Sequence, residues 1–460
     1  MGERLVLDGC TVVTMDAARS EHATGHVVVD GTRITAVGSG RYVPGPDDVG
    51  RDVRVVDARA CVATPGLVDT HNHLYQWATR GLACDSTLFE WLTTLYPVWG
   101  GIDEDTTHAA AAAGLGWLAR TGCTTSMDHH YVFPHGGGDL LGAEVAAARE
   151  VGVRFLATRG SMDLGRSRGG LPPDHVVEEI DDILAASVEA IDRHHDPSPD
   201  ATVRVGLAPC SPFSVTGDLL RESAALARGR GVRLHTHLAE TTDEAAYCRE
   251  RFGMTPVEYM ASVGWLGDDV WFAHGIHFDD PAIATLARTG SGVAHCPSSN
   301  ARLGAGIARA RALRDAGVPV GLGVDGPASN EASSMLEEAR HALLLARAVG
   351  GPTALTVRDA LEVATIGGAR VLGWDDQIGS LEPGKLADVA LWRVDGLAHG
   401  DIVDPVAGLV LGDRPPLALL LVGGRPVVSD DRLVAVDEES LGRALRSAST
   451  GLLERAGVLA

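Results

Sequence analysis

The sequence predicts an α/β protein: a (β/α)8 TIM-like barrel flanked by a small β-sandwich that the N- and C-terminal segments build together. Eight short apolar runs, each followed by an Ala/Leu/Glu/Arg-rich stretch, lie between residue 64 and about residue 375. Strands alternating with helices imply parallel pairing with right-handed crossovers, and eight such units suggest a closed barrel. The two ends of the chain carry short alternating runs separated by turn signals, an all-β pattern. Candidate functional residues also cluster at the ends of the apolar runs, where a parallel barrel carries its chemistry.

The N-terminal strands are expected at Arg4 to Asp8, Thr11 to Met15, His26 to Asp30, Arg33 to Val37 and Val53 to Asp57, with Asp30-Gly31 as a turn. The barrel strands follow at Gly66 to His73, Thr124 to Tyr131, Val153 to Arg159, Val203 to Pro209, Val232 to His237, Val270 to His274, Gly292 to Cys296 and Val318 to Asp325. Helical spacing marks Thr107 to Arg120, Leu141 to Val151, Val176 to His194, Leu219 to Arg230 and Glu331 to Ala348. After a turn at Ile378 to Lys385, strands return at Ala387 to Arg393, Leu417 to Val422 and Leu433 to Val436, and a helix from Glu439 to Ala456 closes the chain. This organisation divides the chain into residues 1–62 and 378–460, which form the sandwich and terminal helix, and 63–377, which form the barrel.

With 460 residues, 45% of them hydrophobic, the chain can bury a barrel-sized core. No apolar stretch approaches the ~20 residues of a membrane span. The start of the chain carries acidic Glu3 and no signal-like apolar core, so a cytoplasmic protein without membrane partners is expected. Seven scattered cysteines form no Cys-X-X-Cys pair, which argues against a disulfide framework and a thiolate zinc site. A net charge of −22 repels phosphate backbones, which disfavours a nucleic-acid polymer as partner and favours a neutral small molecule.

The strand ending in His71-Asn72-His73 places both imidazoles on one face. His237, at the end of the fifth run, and Asp325, at the end of the eighth, complete a set of three imidazoles and one carboxylate. That set suits one divalent ion per chain, zinc first and iron second, with a water in the remaining position. Such an ion lowers the pKa of its water towards neutrality, and Asp325 lies where it can take that water's proton. His237 is preferred to His235 as ligand because it is nearer the strand's C-terminal end, with His235 supporting it from a deeper layer. Glu240, at the mouth, is the expected general acid/base for a ring nitrogen or leaving group. His274 is expected to hydrogen-bond the attacking water or polarise the reacting centre.

The segments Thr64 to His73, His237-Leu238-Ala239-Glu240, His274-Gly275, His295 to Asn300 and Val324-Asp325-Gly326 together resemble the amidohydrolase superfamily, in its cytosine deaminase-like and chlorohydrolase branch. The resemblance spans nearly the whole chain. It implies one metal on His71, His73, His237 and Asp325, with Glu240 and His274 transferring protons. Other branches bridge two metals with a carboxylated barrel lysine, but the only lysine here is Lys385, in the C-terminal β segment. Ser126 to Tyr131, Tyr247-Cys248 and Gly264 to His277 look most like the 8-oxoguanine deaminases, which implies hydrolysis of 8-oxoguanine to urate and ammonia. Isoxanthopterin, guanine, cytosine-type bases, adenosine-like thioether nucleosides and s-triazines are the alternative heteroaromatic substrates. A homo-oligomer is expected. An inactive structural oligomer is the alternative outside enzymes, disfavoured by retention of the ligand and proton-transfer residues. The Pro-Cys-X-X-Cys signature of the zinc deaminases that edit polynucleotides is absent.

A purine-like ring needs hydrogen-bond partners and a flat surface. Gln76 and Trp77 after the first strand, Tyr131 after the second and Arg159 ending the third are the expected substrate contacts, with Asp163 a competing partner for Arg159. His129 and His130 are pocket candidates without a role, Asn300 is expected to orient its loop, and His277 has no assigned role.

Overall fold

The computed structural model describes residues 4–459; Met1 to Glu3 and Ala460, and with them the expectation drawn from Glu3, lie outside the described residues. Eight parallel strands close a barrel in chain order: Leu67–Asp69, Cys123–His130, Arg154–Ser161, Val203–Pro209, Leu234–Leu238, Val270–His274, Gly292–His295 and Val320–Leu322. Closure runs through Leu322 paired with Asp69. Nearly every residue of these strands is buried, as expected of a parallel sheet covered by helices outside and filled by side chains inside.

The helices end where their sequences say they should. Asp103 caps Glu104–Arg120 by accepting from the Thr106 N–H, and Asp139 caps Leu140–Val151 through the Gly142 N–H. Gly152 ends the latter helix at φ +91°, a conformation that favours glycine. Two expected starts move inward. The third of the expected helical stretches, Val176 to His194, becomes a short 3-10 turn at Asp174–Val176 followed by the helix Ile180–His194, and the one expected from Glu331 begins at Met335.

The terminal segments combine into one nine-stranded sheet, and its distant strands share a single apolar cluster that includes Leu7, Val29, Ile34, Leu391 and Leu421. Arg4 to Asp8 and Thr11 to Met15, expected as separate runs, form one strand, Arg4–Val13. The strand Cys61–Pro65 pairs antiparallel with Val389–Arg393 of this sheet. The chain therefore leaves the sheet at Gly66, a few residues beyond the expected crossing at 62/63. Arg425–Ser429 is a strand that the sequence pattern did not mark, paired with Leu417–Val422.

Sheet and barrel are joined by buried polar contacts. Arg154, on the third barrel strand, makes two 3.0 Å bonds to the Asp388 carboxylate, while within the sheet Trp392 Nε1 donates to Thr64 Oγ1 at 3.0 Å and its ring reaches Gly122 just before the second barrel strand. Gly122 is required here because a Cβ would sit 2.1 Å from the Trp392 ring. Lys385 donates to the Asp375 carbonyl and Ser380 Oγ on the sheet side, outside the barrel. The helix Glu438–Arg455 lies against the first barrel loop, with Ser449 Oγ donating to the Ala78 carbonyl at 2.6 Å. No helix among the described residues is long and apolar enough to cross a membrane.

Candidate active site

Six side chains gather at the C-terminal ends of the barrel strands: His71, His73, His237, Glu240, His274 and Asp325, all buried. His71 and His73 leave the first strand, and Asn72 between them bridges to Asp325 after the eighth. Asp69 ties these ends together. Its carboxylate accepts from Val324 N at 3.1 Å, Asn72 Nδ2 at 2.9 Å and Ser126 Oγ at 2.8 Å, and burial pushes its pKa up to about 7.

The hydrogen-bond network sets the tautomers of the three expected ligands. His73 Nδ1–H donates to the His129 carbonyl at 2.7 Å, and His237 Nδ1–H to the Cys210 carbonyl at 2.6 Å. His235 Nδ1–H donates to the Trp271 carbonyl at 3.0 Å, so its Nε2 accepts from His71 Nδ1–H at 2.8 Å. All three Nε2 lone pairs are thereby left facing one centre. His73 Nε2 and His237 Nε2 stand 3.1 Å apart, and Asp325 Oδ1 lies 3.3 Å from both His71 Nε2 and His73 Nε2. Burial, then repulsion from neighbouring imidazoles, holds His73 at about 3 and His237 well below the usual histidine value. Both rings are therefore neutral, and His71 Nε2 has no hydrogen-bond partner. Neutral nitrogens with converging lone pairs and an adjacent carboxylate repel one another unless a cation lies between them, so the donor set fits a divalent metal. His235 thus supports His71 rather than His237, as the sequence had suggested, because it shares the deeper layer with His71.

His129 stacks on His237 at 4.6 Å and is a further neighbour of the donor cluster, with a Nδ1 that lacks a partner. Its Nε2–H donates to the Ala208 carbonyl. His130 points the other way, out of the barrel, onto Glu144 at 2.7 Å.

His274 Nδ1–H donates to Asn300 Oδ1 at 2.9 Å, which turns its Nε2 towards Glu240 Oε2 at 3.7 Å and Asp325 Oδ2 at 3.9 Å. Burial opposes charge on this imidazole, but the Glu240 and Asp325 carboxylates outweigh it and raise its pKa. Burial raises the pKa of Glu240. It also pushes Asp325 upward, yet the surrounding imidazoles, His71 foremost, hold that carboxylate well below its ordinary value. Ala239, His274 and Asp325 all have positive φ, at +54°, +71° and +61°. For residues other than glycine this is strain, and it lies where chemistry would be placed.

A partly open cavity lies over these groups. Tyr131 lines it. Trp77 and Arg159 do not. The 3-10 turn Leu74–Thr79 carries Trp77 outward onto Gly114, with Arg80 stacked on its ring at 4.1 Å. Arg159 faces away from the barrel interior, bonded to Glu178 at 2.6 Å and stacked 3.6 Å from Phe133, and Asp163 is taken by Thr216 instead. Gln76 is fully buried beside Gly326, with both amide atoms lacking partners, and is not in the cavity wall. His277 Nε2–H donates to the Ala305 carbonyl, away from the cavity.

The sequence missed most of the wall. Leu88, Trp91 and Tyr96 come from the helix Leu88–Trp99, and Cys210, Ser211 and Phe213 from the loop after the fourth strand. Cys210 directly follows that strand, so the strand-end rule that found the histidines could have found it. The helix announces itself by a capping box, Thr87 with Glu90.

A closed parallel barrel with a histidine-carboxylate cluster at its C-terminal face defines a metal-dependent hydrolase scaffold. The chain belongs to the amidohydrolase family, whose model matches residues 62–415. It is 45% identical over 433 residues to an 8-oxoguanine deaminase of Pseudomonas aeruginosa, covering 94% of this chain and 95% of that protein. It is 38% identical over 448 residues to an isoxanthopterin deaminase from an unknown prokaryotic organism, covering 92% and 91%. Among solved structures, atrazine chlorohydrolase from Arthrobacter aurescens TC1 complexed with zinc superposes with a TM-score of 0.91 at 33% identity, covering 97% of this chain and 100% of that one.

Proposed function

We propose that this protein is a metal-dependent aminohydrolase that converts 8-oxoguanine and water to urate and ammonia. The 45% identity with the Pseudomonas aeruginosa deaminase, extending over 94% of the chain, carries this choice of substrate. The convergent lone pairs of His71, His73 and His237 beside Asp325 support one zinc ion as the cofactor, with iron as the alternative. When bound, such an ion supplies Lewis-acid activation of water at neutral pH.

The protein's own groups would divide the proton traffic. Asp325 Oδ2 and His274 Nε2 face the position of the attacking water, where the first accepts a proton and the second holds the water by a hydrogen bond. Water adds to the amino-bearing ring carbon while Glu240 gives a proton to the ring nitrogen. Glu240, now a carboxylate, relays the adduct's hydroxyl proton to the departing amine; the C–N bond breaks as the carbonyl forms, ammonia leaves, and the proton taken by Asp325 returns to Glu240. Burial, which raises the pKa of Glu240, favours the protonated acid needed at the start. Tyr131 presents a ring to the substrate's face. Gln76, expected as a substrate contact, lies against Gly326 outside the cavity wall and has no part in this scheme. A homo-oligomer working in the cytoplasm is part of the same proposal, testable by light scattering and cell fractionation.

Ammonia release across 8-oxoguanine, guanine, isoxanthopterin, cytosine and a chloro-triazine tests the reading. 8-Oxoguanine presents an N7–H donor and a C8 oxygen where guanine presents only an acceptor, and a buried mismatch costs about 1–3 kcal/mol per unpaired group. A kcat/KM for guanine at or above that for 8-oxoguanine would refute the substrate. Activity confined to the triazine would refute the deaminase as well.

A further inference from the structure

Glu244 is the third residue of the helix Thr242–Phe252, which follows N-cap Thr241. A glutamate at this position ordinarily folds back onto the N-cap N–H. Two others in this chain do so: Glu90 accepts from Thr87 N at 3.0 Å, and Glu258 from Thr255 N at 2.8 Å, both at the surface. Glu244 breaks the pattern. Its carboxyl reaches past the N-cap and accepts from Ala239 N at 2.7 Å, while Thr241 Oγ1 is left buried without a partner. The side chain is 2% exposed, makes no ion pair among the described residues within 4 Å, and lines the cavity beside Glu240 and His274.

An uncapped helix start and an uncompensated buried acid are two local penalties, and both arise from the same diversion. What the diversion secures is the Leu238-Ala239-Glu240 turn. Ala239 sits at φ +54°, its carbonyl accepts from His277 N at 3.0 Å, and its N–H is held by Glu244. The following side chain is Glu240. We propose that Glu244 is a positioning residue: by holding the Ala239 peptide in its left-handed turn, it aims the Glu240 carboxyl at the reacting centre. The inference rests on Glu240 being the proton carrier. Burial, with the Glu240 charge adding to it, pushes the Glu244 carboxyl up to about 8, so near neutrality its carbonyl oxygen is the acceptor and glutamine is its close mimic.

The test compares Glu244→Gln, Glu244→Met and Glu240→Gln in the zinc-loaded enzyme, with kcat, KM, zinc content, and residue-resolved hydrogen exchange at Ala239. Glu244→Gln should keep parent-like kcat and a protected Ala239 amide. Glu244→Met should keep its zinc and its KM, expose the Ala239 amide to faster exchange, and lose kcat by up to about 100-fold, the effect of a roughly 1 Å misplacement. Parent-like kcat in Glu244→Met, or an equal loss of kcat in both Glu244 variants, overturns the positioning role. So does a rise in KM at unchanged kcat, which would make Glu244 a substrate contact. Turnover surviving in Glu240→Gln overturns the reading of Glu240 and this role with it, whereas loss in Glu240→Gln beside full turnover in Glu244→Met overturns this role alone.

Discussion

Replacing His235 by leucine isolates the contact that orients His71. In the parent, His235 Nε2 accepts the His71 Nδ1–H at 2.8 Å, and its ring stacks on Trp271 at 4.5 Å. Leucine fills much of that space but offers no acceptor. The His71 Nδ1–H would then be buried without a partner, at a cost of about 1–3 kcal/mol. Loss of such an outer contact typically weakens metal binding about 10- to 100-fold, which corresponds to about 1.4–2.8 kcal/mol. The two independent magnitudes agree, so the variant should show a zinc Kd raised about 10- to 100-fold. Competition against a chromophoric chelator at fixed pH measures it, and turnover at saturating zinc should recover much of the parent value. His235→Gln, whose amide oxygen can accept the same hydrogen, should fall between. A parent-like zinc Kd in His235→Leu would show that the network does not set the His71 tautomer, and the convergence of the three lone pairs would lose its support.

Asn300→Ala should keep its zinc but lose kcat by about 5- to 150-fold, the equivalent of one unsatisfied buried donor, because His274 Nδ1–H loses its acceptor; Asn300→Asp, which keeps an oxygen there, should lose less. Arg159→Met should leave KM for 8-oxoguanine unchanged and lower the Tm, since Arg159 serves Glu178 and Phe133 outside the cavity. Burial raises Glu144 from 4.5 to about 8, so the native state holds a proton that the unfolded chain releases. That contribution is complete below about pH 4.5 and is lost as the pH rises towards 8, so urea-unfolding stability should fall less steeply across this window in Glu144→Gln than in the parent.

The barrel was legible because strands buried on both faces read as continuous apolar runs, and each run stops where the chain turns polar. The cluster at their ends was legible for the same reason: His71, His237, His274 and Asp325 stand at the polar ends of apolar runs. Legibility failed wherever the facing of a side chain mattered. Arg159 and His130 lie beside inward-facing residues on their strands, and a side-chain period of two sends them outward. Trp77 follows the first strand by only a few residues, but a 3-10 turn rotates it away. The cavity wall from Leu88–Trp99 looks in sequence like any amphipathic helix, because what it covers lies on other strands.

The strained strand ends show what the sequence withholds. Ala239, His274 and Asp325 are not glycine, so nothing in their type announces a left-handed backbone that costs about 1–3 kcal/mol per residue. Each is held by a partner from another place in the chain: Ala239 N by Glu244, the His274 ring by Asn300, and Asp325 N by the His71 carbonyl at 2.8 Å. The last of these joins residues almost the whole barrel apart in sequence, because the first and eighth strands become neighbours when the barrel closes. Strain of this kind persists only where the surrounding contacts over-determine it, and here those contacts converge on the groups that face the cavity. Removing one holder should therefore disturb geometry before it disturbs folding, so the variants that separate metal content, kcat and Tm are the informative ones.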